Sequence, residues 1–327
     1  MVKLSKHVNL VAHADWSANV QKRWLVIAHR QPDDSWIARS PLRVRNPREL
    51  LPDLQASAGR SGCTLVGFDF PIGLPEAYAR QAAVSDFLEL LPVLGHGPWA
   101  DFYQVAAQPE QIDLHRPFYP LRPAGTKRSH LVHSLGMDTF DDLRRRCERA
   151  HPNRRAASPL FWTLGGQQVG KAAISGWKDV LVPGLLDKNT NLVIWPFSGP
   201  LGSLLRPGAI VAAETYPAEA YRPIGIRFKK LAQGGKAGKR SQAAREENAG
   251  ILLGFARQAG VILTPELEAQ ILAGFGPRLD GEDRFDALVG LLWMLHWLGK
   301  PDFPEPKDRM INRLEGWIFG QQYPACP

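Results

Sequence analysis

The chain of 327 residues predicts an α/β fold carrying a large insertion, on two observations. Short apolar, β-branched runs cluster at 7–44 and 63–75 around a segment of helical spacing at 47–60, and such a run returns at 209–215 ahead of further helical segments. Between them, residues 76–205 lose this regularity and are rich in Pro, Gly and aromatic residues. The core is therefore expected from 1–75 and 206–327, with 76–205 an insertion of helices and loops.

Taken in order, HVNLVAHADWSA at 7–18, KRWLVIAHR at 22–30 and SWIARSPLRV at 35–44 read as three strands joined by turn-forming residues. PRELLPDLQASAGR at 47–60 reads as a short helix in spite of Pro52, because its apolar residues keep helical spacing and a Gly closes it. CTLVGFDFPIGLP, from Cys63, is a continuous apolar run stopped by Pro71, the pattern of a strand buried on both faces. AIVAAET at 209–215 is a second such strand, ended by Pro217. Two helices follow at 241–260 and 264–275. The last element, DGEDRFDALVGLLWMLHWLG at 280–299, is an almost wholly apolar helix.

Composition excludes several classes. Hydrophobic residues make up 44% and charged residues 22%, and ten Trp with fourteen Phe supply a sizeable core, so extensive disorder is not expected. Cys63, Cys147 and Cys326 are odd in number and far apart, which argues against a disulfide framework or a zinc ribbon. The N-terminus has no apolar signal core, and the apolar run 287–299 is too short to span a bilayer. A soluble, cytoplasmic protein is the expectation. The net charge of +8 favours polyanionic partners, although a solvated basic surface explains it equally well.

Three acids share one kind of address. Asp15, Asp69 and Glu214 each lie at the C-terminal part of an apolar strand, with a Ser or Pro within three residues. Neighbouring strands would bring such positions to one sheet edge, where ligand sites of open α/β sheets gather. A single strand-end acid is more simply a turn cap or salt-bridge partner. Three together would repel one another and take up protons unless a hard cation such as Mg²⁺ or Mn²⁺ compensated them. A fourth group lies on the last helix, where Asp283 and Asp286 share a face. Asp283 suits the first turn behind a capping Asp280. Asp286 stands on an apolar face with Val289, Gly290 and Trp293, and so is expected to point inward. The candidate catalytic residues are thus Asp15, Asp69, Glu214 and Asp286. The candidate ligands are Asp15, Asp69, Asp283 and Asp286. His13 shares the strand face of Asp15 and could tune the site, though such a His is more often a satisfied core residue.

HADWSA at 13–18, GFDFPIGLP at 67–75, AAETYPAEAY at 212–221 and DGEDRFDALVGLL at 280–292 together resemble the DUF429 family, predicted nucleases of the ribonuclease H-like fold. The resemblance implies a ribonuclease H-like mixed sheet flanked by helices. It makes Asp15 the first-strand ligand, Asp69 the fourth-strand ligand and Asp286, with or without Asp283, the C-terminal ligand. Glu214 on the fifth strand is typical of the family. The implied chemistry is hydrolysis of DNA or RNA phosphodiesters assisted by two Mg²⁺ or Mn²⁺ ions about 4 Å apart.

Residues 227–245 hold seven Lys or Arg and no acid between the Glu214 strand and the last helix. Lys229, Lys230, Lys236, Lys239 and Arg240 are candidates for gripping a nucleic-acid backbone, against a plainly solvated loop. The GGKAGKRS stretch is not a phosphate loop: no Gly stands five residues before Gly238, and Arg240 replaces the required Ser or Thr. Arg144–Arg146 with Arg154 and Arg155 read as a solvated Arg-rich face. Trp99, Trp162 and Trp177 suit packing more than base stacking. His130 and His133 lack a third zinc ligand nearby. Two alternatives remain. A phosphotransfer enzyme related to actin-like ATPases would need Gly-rich loops that the stretch after Asp15 lacks. A non-catalytic nucleic-acid-binding protein on the same scaffold would bind in a salt-dependent way without turnover.

Overall fold

A computed structural model describes residues 4–59, 61–123, 125–150, 154–164, 169–228 and 238–322. Its centre is an eight-stranded mixed sheet. The strands are β1 (Val8–Asp15), β2 (Trp24–Arg30), β3 (Trp36–Ala38), β4 (Leu42–Arg43), β5 (Cys63–Phe68), β6 (Leu192–Ile194), β7 (Ile210–Glu214) and β8 (Val261–Leu263). They lie in the order β6-β7-β5-β1-β2-β3-β8, with β4 paired to β2. β1 runs antiparallel to β2 and β2 to β3, whereas β5, β7 and β6 continue from β1 in parallel. β1, β5 and β7 occupy the middle and, Asn9 apart, are buried on both faces.

The sheet is α/β and mixed, as expected, with four differences in detail. The segment 35–44 is two short strands, because Pro41 cannot donate a ladder hydrogen bond. The segment 241–260 is two helices, Gln242–Glu247 and Ala249–Gln258, meeting at Asn248, whose side chain ties the break to Arg227. The third difference corrects the reading of 76–205 as helices and loops: this segment also supplies β6, which extends the sheet beside β7. Three residues between Asn191 and the turn at Trp195 are too few to declare a strand by alternation, and the same holds for the fourth difference, the three-residue strand β8 beside β3.

Two cores sandwich the sheet. On one face the long C-terminal helix Gly281–Leu298 packs over β1 and β2 with Val11, Leu65 and Ala213 beneath it. On the other, the insertion's aromatic residues cover Ala12, Ala14, Phe68 and Ala212. Trp177 belongs to this second core, fully buried with its indole N–H donating to Pro71 O at 2.7 Å. The C-terminal helix sits very close to the sheet. A Cβ on Gly290 would come within 2.2 Å of the His13 ring, and one on Gly67 within 2.5 Å of Met294 Sδ. Among the described residues, no helix is long and apolar enough to cross a membrane.

Candidate functional site

Strand register decides which acids meet. Ala14, Phe68 and Glu214 are partners across β1, β5 and β7. The next row therefore holds Asp15, Asp69 and Thr215, and its backbone is tied by Asp69 N to Ala14 O at 3.0 Å and Thr215 N to Phe68 O at 2.9 Å. Successive strand side chains point to opposite faces. Asp15 and Asp69 thus look toward the C-terminal helix, and Glu214, one residue out of step with them, looks toward the insertion.

The helix completes the first group. Asp286 lies on its buried side, 2% exposed, with Asp15 at 8% exposed beneath it. One Asp286 oxygen accepts from the Tyr221 hydroxyl and the other from the Lys239 ammonium. Burial pushes Asp15 well above the usual carboxylate range, and the charges of Asp286 and Asp69 add to this. Burial, then the charge of Asp286, raises Asp69 to about 7, while Lys239 pulls the other way. Lys239 itself stays charged: burial opposes its proton, but Asp286, Asp15 and Asp69 more than offset that. Asp283 lies one turn earlier. Burial raises it to about 6, and its Oδ2 is buried without a hydrogen-bond partner among the described residues. Asp280 stands at the N-cap but makes no capping bond; its carboxylate takes Arg43 at 3.0 Å and Arg284 at 3.4 Å instead.

Asp15, Asp69, Asp283 and Asp286 line one cavity of about 870 Å³. Its walls come from residues 16–19 and Lys22, from the insertion helix Val169–Gly176 through Lys171 and Ala172, and from the helix Pro217–Ile224 through Pro217, Ala218 and Tyr221. Lys22, Lys171, Lys239 and Arg240 set four positive charges around it. Carboxylates at the base and cations on the walls suit a ligand that carries negative charge and meets a cation at the base. Among the described residues, no group of three or more His, Cys, Asp or Glu side chains stands ready to hold a metal ion, and the cation in contact with Asp286 is Lys239. Comparison with protein-family models, curated proteins and solved structures found no match.

Glu214 does not join this group. Both of its oxygens accept from Arg145, each at 2.6 Å, and one also accepts from Ile72 N at 2.7 Å. Arg145 is fully buried and bonds Glu148 as well, at 2.8 Å. The pair joins the insertion to the sheet, and both Glu214 oxygens are spent on it rather than turned to the cavity, which Glu214 does not line. The Arg-rich stretch is correspondingly not the solvated face its composition suggests. Arg146 meets Glu76, Asp308 and Glu315, and Arg154 meets Glu219. The acids that take up Arg146 and Arg154 lie far away in sequence, which is why composition alone misleads.

His13 is a satisfied core residue. Its Nδ1–H donates to Ala287 O at 3.0 Å, which leaves Nε2 to accept from the Thr215 hydroxyl at 2.8 Å. Burial holds its pKa at about 3, so the ring stays neutral. Of the basic candidates, Lys229, Lys230 and Lys236 lie outside the described residues. Arg240 is 84% exposed and 3.6 Å from Glu282. Lys239 is turned onto Asp286 rather than outward. Tyr221 and Lys171 escaped the sequence reading. Tyr221 was signalled by helical spacing from Pro217 and Ala218, whereas nothing local marks Lys171.

Proposed function

We propose that this chain is a divalent-metal-dependent nuclease of the ribonuclease H-like fold, hydrolysing phosphodiesters of DNA or RNA. The observation that carries this reading is the convergence of Asp15, Asp69 and Asp286, from two adjacent strands and one helix, at the base of a cavity with cationic walls. The antiparallel strands β1 to β4, a helix at Leu50–Ala58, the parallel strands β5 and β7 and a C-terminal helix support the fold assignment.

The donor set fits Mg²⁺ or Mn²⁺. It consists of carboxylate oxygens, which hard cations prefer, and among the described residues no thiol or imidazole lines the cavity. The raised proton affinities of Asp15 and Asp69 mark a cluster short of positive charge. Asp15, Asp69 and Asp286 would hold the ion, with Asp283, whose Oδ2 has no hydrogen-bond partner among the described residues, at the edge. A bound ion would supply charge for the phosphate and a more acidic water. The chain's own residues do the rest. Tyr221 fixes the orientation of Asp286, and the ladder bonds beside Asp15 and Asp69 hold those two in place. Lys22, Lys171 and Arg240 attract the polyanion toward the cavity.

The test is cleavage of labelled single- and double-stranded oligonucleotides with Mn²⁺ or Mg²⁺. Asp15→Asn and Asp69→Asn should each lose at least about a hundredfold in rate while circular dichroism is unchanged. A folded wild-type protein that binds neither ion by calorimetry would end the proposal.

A further inference from the structure

We propose that the Lys239 ammonium is the resident counter-cation of the carboxylate cluster, and that a divalent ion binds only by displacing it. This rests on the metal-dependent reading of the site. The Lys239 ammonium contacts Asp286 directly and is drawn to Asp15 and Asp69 as well, so it answers the same charge that an ion would answer. Ion and ammonium would repel each other at that distance, and with Tyr221 already on the other Asp286 oxygen, the oxygen an ion would take most readily is the one Lys239 occupies.

The backbone at Lys239 is anchored. The buried guanidinium of Arg245 donates to Lys239 O, to Gly274 O at 2.7 Å and to Gly276 O at 2.8 Å. Ser241 N bonds Gly238 O at 3.0 Å and starts the next helix. The ammonium is therefore delivered by a fixed backbone, and displacement needs only rotation of the long side chain. That side chain is 40% exposed, which leaves it a path into the cavity and to water. Without a metal, Lys239 offsets part of the repulsion among three buried acids. With a metal, the same charge withdraws to the cavity wall.

The experiment is Mn²⁺ calorimetry at pH 8 on the full chain, with wild type, Lys239→Met and Lys239→Arg. Lys239→Met removes the competing charge but keeps the aliphatic stem. It should bind Mn²⁺ at least about tenfold more tightly than wild type, and Lys239→Arg no more tightly than wild type. Thermal melting without metal confirms that each variant folds. If Lys239→Met does not fold, Lys239→Gln takes its place with the same expectation. Equal or weaker Mn²⁺ binding by the neutral variant, beside measurable binding by wild type, overturns the counter-cation role and leaves the metal reading standing. Absence of Mn²⁺ binding in wild type and both variants removes both.

Discussion

Asp69→Asn should stabilise the metal-free protein at alkaline pH while abolishing its activity. Asp69 has a proton affinity raised from the ordinary 3.8 to about 7, first by burial and then by the charge of Asp286. Between those values the native carboxyl holds a proton that the unfolded one has lost. Stability therefore falls as pH rises from about 4 to about 7, and the whole penalty is present above 7. At about 1.4 kcal/mol per tenfold change in proton affinity, the ceiling is about 4 kcal/mol. Asp15 shares protons with Asp69, so the gain from neutralising one of them is nearer about 1–3 kcal/mol. The assay is urea denaturation in EDTA at pH 8 and pH 4.5, comparing midpoints at fixed slope. The variant should gain at pH 8 and lose most of that gain at pH 4.5. An Asn variant less stable than wild type at pH 8, or one with the same gain at both pH values, would refute the picture of a strained acid cluster.

Three further outcomes follow from the same geometry. Glu214→Gln should leave Mn²⁺ affinity within about twofold of wild type, because its carboxylate serves Arg145 and not the cavity; a large loss in calorimetry would return Glu214 to the ligand set. Arg145→Ala leaves Glu214 and Glu148 buried without their cation and should cost about 3–5 kcal/mol in urea denaturation, whereas a neutral result would mean that insertion and sheet are not joined there. Gly290→Ala forces a methyl group against the His13 ring and should cost about 1–3 kcal/mol; unchanged stability would contradict the close seating of the C-terminal helix.

Much of the sheet was legible because its middle strands are continuous apolar runs that few other structures accommodate. β6 and β8 were not, since three-residue strands carry no period and are recruited by the strands beside them. Among the acids, Asp15 and Asp69 share a strand address, and Asp286 stands on an apolar helix face; the structure brings all three together. Glu214 has nearly the same address but is one residue out of register. A shift of one residue reverses the face, and a sequence read strand by strand does not contain the register between strands. The long-range partners were equally hidden. Nothing near Arg145 in sequence announces Glu214, 69 residues away, and nothing near Lys239 announces Asp286, 47 residues away. Charges taken as surface by composition were absorbed by acids that only the fold brings near.

The central claim is that Asp15, Asp69 and Asp286 form one cation site. Crystals soaked in Mn²⁺, with anomalous scattering used to locate the ion, test it most directly. The account predicts a peak within coordination distance, about 2.0–2.3 Å, of oxygens from all three residues, with the Lys239 ammonium moved off Asp286. Saturating Mn²⁺ with no peak there, or a peak held by other residues while Lys239 stays in place, would contradict it.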